Sequence, residues 1–93
     1  MEIKHEDTSI KGRFYYEIDG QVKAQMTYSH AGTDKIIIDH TEVDESLKGQ
    51  GVGYKLLETS VAYARDKQIK ILPLCPFAAA VFKKRTQYSD VLF

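Results

Sequence analysis

The sequence predicts an α+β fold, because the spacing of its apolar residues changes halfway along the chain. In the first half, apolar and polar residues alternate singly, as in half-buried strands of an antiparallel sheet. In the second half, apolar residues recur three to four positions apart, as on the buried face of a helix, and an apolar run separates two such segments. The expected element order is β-β-β-β-α-β-α, in a single domain over residues 1–93.

The clearest strand signal is a predicted hairpin. Alternating runs over residues 13–18 and 21–28 are joined by Asp19-Gly20, and both of these residue types tolerate the positive φ of a two-residue turn. We also expect a short strand over residues 3–7 and a fourth strand over residues 35–43. In that fourth strand, alternation places Ile36, Ile38 and His40 on one face, and Ile37, Asp39, Thr41 and Val43 on the other.

The second half is expected to start with a helix that runs from Val52 to about Lys67. Residues 69–74 predict a fifth strand, apolar enough to be buried on both faces. Pro76 suits the first turn of a second helix, where its missing N–H costs nothing, and this places Cys75 at the N-cap. The tail is expected to return to the sheet through residues 91–93.

Composition excludes several classes of function. Thirteen basic and thirteen acidic side chains cancel, so there is no electrostatic case for a nucleic-acid partner. No apolar run is long enough to cross a membrane, and the charged N-terminus is unlike a secretory signal, which predicts a cytoplasmic protein. The single cysteine excludes an internal disulfide, and the scattered histidines predict no metal site.

A glycine-rich turn precedes the first helix, in the segment Lys48-Gly49-Gln50-Gly51-Val52-Gly53. Glycines let the backbone turn tightly and approach a ligand closely. The helix that follows directs its unpaired N–H groups and its positive dipole end at this turn. The pattern predicts a phosphate cradle, although three glycines before a helix also suit a purely structural turn.

With these residues in view, the chain resembles the GCN5-related N-acetyltransferase superfamily, and more narrowly its very small single-domain members that bind acetyl-CoA. The superfamily pattern Gln/Arg-x-x-Gly-x-Gly/Ala is matched by residues 48–53, with Lys48 in the first position. The second pattern, Asn-x-x-Ala-x-x-x-Tyr, is matched by residues 75–82, with Cys75 replacing asparagine and Phe82 replacing tyrosine. In the small subfamily Cys75 is the expected residue, and His40 accompanies it.

The resemblance implies a minimal acetyltransferase-like fold, a mostly antiparallel sheet whose parallel strands four and five splay apart to admit acetyl-CoA. The pantetheine arm is then expected along strand four and the pyrophosphate on the amides of residues 49–54. The implied coenzyme-binding residues are Thr41, Glu42, Val43, Lys48, Gly49, Gln50, Gly51, Val52, Gly53, Tyr54 and Phe82. The implied catalytic pair is Cys75 and His40, with the thioester between them.

Two mechanisms follow from that implied geometry. A thiol at a helix N-terminus favours the reactive thiolate, so Cys75 would attack the thioester and carry the acetyl group. Alternatively an amine attacks the coenzyme directly, His40 helps to remove the amine proton, and Cys75 protonates the leaving thiolate. The usual phenol acid is absent because Phe82 has no hydroxyl, which leaves Cys75 or Tyr88 for that role.

The predicted function is N-acetyl transfer from acetyl-CoA, as co-substrate, to an amine of unknown identity, on a small molecule or on another protein. A second hypothesis is a non-catalytic module that binds acetyl-CoA or CoA as a sensor or accessory subunit. A third is an interaction domain whose glycines are structural and whose Cys75 is a packing residue. Larger acetyltransferases place helices between strands one and two; Asp7-Thr8-Ser9 leaves no room for them, so the acceptor side should be open.

Overall fold

The computed structural model describes residues 1–93 and shows one five-stranded sheet in the order β1-β2-β3-β4-β5. The first four strands form an antiparallel meander, and β5 pairs with β4 in parallel. The elements are β1 (Lys4–Asp7), β2 (Lys11–Ile18), β3 (Gln21–His30), β4 (Lys35–Val43), a 3-10 turn (Glu45–Leu47), α1 (Val52–Lys67), β5 (Lys70–Pro73), α2 (Pro76–Lys84) and a second 3-10 segment (Thr86–Val91). The predicted α+β class and element order are confirmed.

The predicted hairpin is present between β2 and β3. Its two turn residues, Asp19 and Gly20, both have positive φ, of 51° and 79°. This is the backbone that matches the twist of the flanking strands in a two-residue turn. The turn therefore sets the pairing of the strand ends next to it, with Ile18 opposite Gln21.

One hydrophobic cluster joins the sheet to the helices. Alternate residues of the central strands point into it, and α1 packs across β2, β3 and β4 while α2 packs against β5 and β4. The opposite face of the sheet carries polar and charged side chains, and no helix packs on it. We call this second surface the open face. No helix of the structure is long and apolar enough to span a membrane.

Strand β5 differs from its prediction. Of the apolar residues of the predicted strand, Ile71 alone is fully buried, and Leu74 is 62% exposed. The reason is that the helices cover only one face of the sheet, so β5 is not buried on both faces, and Leu74 lies beyond the end of the strand. Along the edge of β5 away from β4 the tail returns as predicted, since Leu92 bridges Ile71 in parallel and the Phe93 amide donates to the Ile71 carbonyl at 2.9 Å.

Candidate active site

The parallel strands β4 and β5 pair over a short stretch and then separate. Their pairing ends at Ile38 and Pro73. The Ile38 carbonyl accepts hydrogen bonds from the amides of both Leu74 and Cys75, at 3.0 and 3.1 Å. Beyond this point residues 40–43 of β4 pair with β3 only. The result is a fork with one free backbone edge, and Thr41, Glu42 and Val43 lie along it.

A β-bulge at the fork changes which side chains face the core. Tyr28 pairs with Ile38 and Thr27 pairs with His40, so Asp39 is the extra residue of the bulge. An extra residue in one strand reverses the alternation of every residue after it. The expectation that His40 shares a face with Ile36 and Ile38 is therefore wrong. Asp39, His40 and Glu42 lie on the open face, and Thr41 and Val43 turn toward the core.

Cys75 occupies the N-cap of α2, as predicted, with Pro76 in the first turn. Its thiol is almost completely buried, at 4% exposure. Sγ accepts a hydrogen bond from the Ala78 amide at 3.5 Å and lies 3.3 Å from the Thr41 hydroxyl. The thiol thus faces a helix N-terminus and one polar side chain, an arrangement in which a sulfur anion finds two donors.

His40 lies elsewhere. Its side chain is 62% exposed on the open face, with Nε2 3.6 Å from Glu42 Oε2. Glu42 also accepts a hydrogen bond from the Gln25 amide at 2.6 Å. That hydrogen bond and the neighbouring His40 lower the pKa of Glu42. The structure thus pairs Cys75 with Thr41 rather than with His40, and the bulge divides the two predicted catalytic residues between the two faces of β4.

The glycine-rich turn has the backbone that its sequence requires. Gly49 and Gly51 have φ of 81° and 74°, and no heavy atom lies within 4 Å of where their Cβ atoms would be. Gly51 is the N-cap of α1 and offers no side chain to its amides. These two glycines therefore leave open space beside the start of the helix.

The first turn of α1 presents free donors to that space. The helical hydrogen bonds begin with the Lys55 amide, which donates to the Gly51 carbonyl at 3.1 Å, so the amides of residues 52–54 precede the ladder. The Gln50 amide was expected to be among those that bind the pyrophosphate, but it already donates a hydrogen bond to the Leu47 carbonyl at 3.3 Å. The amides that fit a diphosphate are therefore those at the N-terminus of α1 itself.

Gly53 allows α1 and α2 to pack closely against each other. It lies inside α1 with no positive φ, and a Cβ there would stand 2.8 Å from Cζ of Phe77 in α2. The Phe77 ring also meets the Tyr54 ring edge-on, with 5.6 Å between centroids. The missing side chain at Gly53 thus lets the beginnings of the two helices approach each other beside the fork.

The other predicted coenzyme residues lie around this turn or in the core. Lys48 is exposed and pairs with Glu45 at 3.1 Å. The guanidinium of Arg85 lies over the Tyr54 ring, 4.5 Å from its centroid. Phe82 is 5% exposed and belongs to the hydrophobic cluster, where its ring meets the Tyr88 ring edge-on, with 6.2 Å between centroids.

Sequence reasoning missed two features of this site. The sequence alone gives no contact between Thr41 and Cys75 and no role to Asp39. Both features depend on the bulge, for which the sequence carries no glycine or proline signal. Simple strand alternation continued from Ile36 and Ile38 is the only local guide, and the bulge reverses it.

Comparisons with known proteins agree with this fold. The family model for GCN5-related N-acetyltransferases matches residues 13–91. A search of curated proteins returned no significant match. Among solved structures, the chain is similar to the solution structure of a GCN5-like candidate N-acetyltransferase from Staphylococcus aureus. The two share 38% identity and a TM-score of 0.77, over 99% of this chain and 87% of that chain.

Two more distant structures share the fold. One is a ribosomal-protein-alanine N-acetyltransferase from Brucella melitensis, 15% identical with a TM-score of 0.65, over 92% of this chain and 64% of that chain. The other is an acetyltransferase from Elizabethkingia anophelis with acetyl-CoA bound, 17% identical with a TM-score of 0.59, over 68% of this chain and 42% of that chain. The family match covers most of the sequence, and the chain therefore belongs to the GCN5-related N-acetyltransferase family.

Proposed function

We propose that this protein binds acetyl-CoA at the fork and transfers its acetyl group to an amine that approaches from the open face. The observation that carries the proposal is the start of α1: uncapped amides and two positive-φ glycines beside the point where β4 and β5 separate. Uncapped N–H groups at the positive end of a sixteen-residue helix favour a diphosphate. The free edge of β4 supplies backbone partners for the amide-bearing arm of the coenzyme.

Cys75 and His40 lie on opposite sides of β4, and we assign each a role according to the side on which it lies. Acetyl-CoA, when bound, supplies an activated acetyl thioester. Cys75 lies on the core side of the fork with Thr41 and the Ala78 amide, and we assign it as the proton donor to the departing sulfur. His40 lies on the open side beside Glu42 and takes the proton of the incoming amine. In this direct transfer the amine nitrogen bonds to the acetyl carbon as the carbon–sulfur bond breaks.

The burial of Cys75 favours direct transfer over an acetyl-cysteine intermediate. A thiol that is 4% exposed and held by two polar neighbours has little room for the added acetyl group. Mass spectrometry of the Cys75 peptide after incubation with acetyl-CoA separates the two routes. A stoichiometric acetyl adduct on that peptide would overturn direct transfer.

Turnover is the test of the function itself. Release of free CoA is measured with a panel of primary amines for the wild type, Cys75→Ser and His40→Gln. Serine keeps the N-cap acceptor but replaces an acidic thiol by a hydroxyl, so we expect acetyl-CoA affinity to be retained and turnover to be lost. Unchanged turnover in both variants would remove these roles.

Binding of acetyl-CoA without turnover by the wild type would favour the second hypothesis, a coenzyme-binding sensor or accessory subunit. The cytoplasmic location expected from the sequence remains part of this proposal.

A further inference from the structure

A groove crosses the open face and ends at the bulge of β4. It has a volume of about 490 Å³, and only one of the ten residues that line it is hydrophobic. Strand register places its open-face lining at one level of the sheet, with Glu6 opposite Arg13 and Arg13 opposite Thr27. The groove thus runs perpendicular to the strands, from the edge strand β1 to Asp39, within the size range of small-molecule sites.

The charges in this groove are unevenly balanced. Glu6 is neutralised by Arg13, whose Nε donates to Glu6 Oε1 at 2.8 Å. Asp39 has no basic partner: one of its oxygens accepts from the Thr27 hydroxyl, and the other accepts from the Ser29 hydroxyl at 3.2 Å. Two neutral donors orient this carboxylate without cancelling its charge. Lys11 also lines the groove, opposite Ser29, but it forms no ion pair with Asp39, so the carboxylate at the β4 end stays free to pair with a bound cation.

That same end lies beside the reactive part of the fork. Asp39 follows Ile38, whose carbonyl accepts the hydrogen bond from the Cys75 amide, and it precedes His40 on the open face. A group bound to Asp39 is thus one residue from the backbone contact that holds Cys75. It is also next to the side chain assigned to proton removal.

We propose that this groove binds the acetyl acceptor as a primary alkylammonium ion, with the Asp39 carboxylate as its counter-ion. The inference rests on the proposed function and names the substrate class and the residue that selects it. Thr27 and Ser29 hold the carboxylate in place, and the remaining polar lining favours a hydrophilic acceptor over an apolar one. The bound ammonium gives one proton to His40, which releases it to solvent, and the neutral nitrogen bonds to the acetyl carbon. His40 then takes the second proton of that nitrogen while Cys75 protonates the departing sulfur and is reprotonated from solvent. This requires no co-reactant beyond acetyl-CoA.

Kinetics with two probe amines tests the assignment. 1,5-Diaminopentane represents free amines, and a Gly-Lys-Gly peptide with blocked termini represents protein side chains. In Asp39→Asn we expect KM for the amine to rise at least tenfold, with KM for acetyl-CoA little changed, because asparagine keeps the shape and loses the charge. Asp66→Asn removes a carboxylate from an exposed site on α1 and should change neither value. An unchanged amine KM in Asp39→Asn would overturn the proposal, and the probe that turns over identifies the source of the amine.

A binding measurement separates this inference from the proposed function. Amide NMR signals of Thr27, Ser29 and Asp39 should shift when either amine is added to the wild type, but not when 1,5-pentanediol is added, and the shifts should disappear in Asp39→Asn. If acetyl-CoA binds at the glycine turn but neither amine shifts these signals, the groove assignment fails and the proposed function stands. If acetyl-CoA itself fails to bind, the proposed function fails.

Discussion

Thr41 and Cys75 meet across the fork between the two parallel strands, with 3.3 Å between the threonine hydroxyl and the thiol sulfur. The contact exists because the bulge at Asp39 turns Thr41 to the core side of β4. Without the bulge, the side chain facing the thiol would be His40. A single inserted residue therefore decides which chemistry surrounds the thiol.

Replacing Thr41 by Val should slow acetyl transfer about tenfold or more, because the hydroxyl can stabilise the sulfur anion left when Cys75 gives up its proton; a hydrogen bond to a charged group contributes about 1.5–3 kcal/mol, and about 1.4 kcal/mol is a factor of ten. The reaction is followed by release of free CoA at fixed pH. Thr41→Ser keeps the hydroxyl and should react close to the wild-type rate. Equal rates for Thr41→Val and the wild type would show that the hydroxyl does not stabilise the thiolate.

Gly51→Glu should abolish acetyl-CoA binding because it places bulk and negative charge at the uncapped start of α1. Gly20→Glu is a matched control: φ is also positive there, at 79° against 74° for Gly51, and the Cβ positions of both are open. Each variant should lose about 1–2 kcal/mol of stability from the strained backbone, measured by urea unfolding. Only Gly51→Glu should lose affinity in isothermal titration calorimetry. Equal affinities in the two variants would remove the phosphate cradle.

Gly53→Ala should destabilise the protein by about 1–3 kcal/mol, the usual cost of overpacking. The new methyl would stand 2.8 Å from the Phe77 ring, which is held against Tyr54. Phe77→Leu shortens the obstructing side chain, so the double variant should be more stable than the sum of the two single changes predicts. Strict additivity in urea unfolding would show that the two residues do not oppose each other.

A partly buried polar network at the other end of α1 should make stability depend on pH. His5 Nε2 lies 2.6 Å from the Tyr28 hydroxyl, which donates to Asp7 at 2.9 Å, and Asp7 also contacts His30 at 2.7 Å. Burial lowers the pKa of His5 below 6.5, and the charge of His30 adds to this, although the Asp7 charge opposes it. The unfolded chain therefore takes up a proton at His5 at a higher pH than the folded protein does.

The sign of this linkage is a loss of stability on acidification. The free energy of unfolding should fall as pH drops below 6.5, until the folded protein also protonates His5. Urea unfolding at about pH 7.5 and about pH 5.5 measures the difference. His5→Gln should reduce this difference, whereas His40→Gln, at an exposed histidine, should retain it. A pH dependence unaltered by His5→Gln would place its origin elsewhere.

Much of the fold was predictable because its signals are local. Asp19-Gly20 encodes its turn through the positive φ of both residues, and Pro76 after Cys75 marks the start of α2. The glycine turn was recognised for the same reason, since Gly49 and Gly51 are needed where φ is positive. At each of these positions the residue type alone indicates the backbone conformation. Glycine and aspartate tolerate positive φ, and proline fixes φ at a value that suits the first turn of a helix.

What the sequence left undetermined depends on partners distant along the chain. The bulge at Asp39 is a property of the pairing between β4 and β3, so the face of His40 could not be read from β4 alone. Likewise the exposure of Leu74 follows from its place beyond the end of β5, where β4 and β5 separate, rather than from its apolar composition. Alternation and hydropathy indicate which residues of one strand are apolar. The neighbouring strands and helices determine which face of that strand is buried.

The most direct test of the central claim is a titration of the ¹⁵N-labelled protein with acetyl-CoA, followed by amide NMR residue by residue. Binding at the fork predicts shifts for residues 51–54 at the start of α1 and for residues 41–43 on the free edge of β4. The Asp19-Gly20 turn should remain unshifted. Shifts confined to other parts of the chain, or no shifts at saturating coenzyme, would contradict the claim that the uncapped helix start holds the diphosphate of acetyl-CoA.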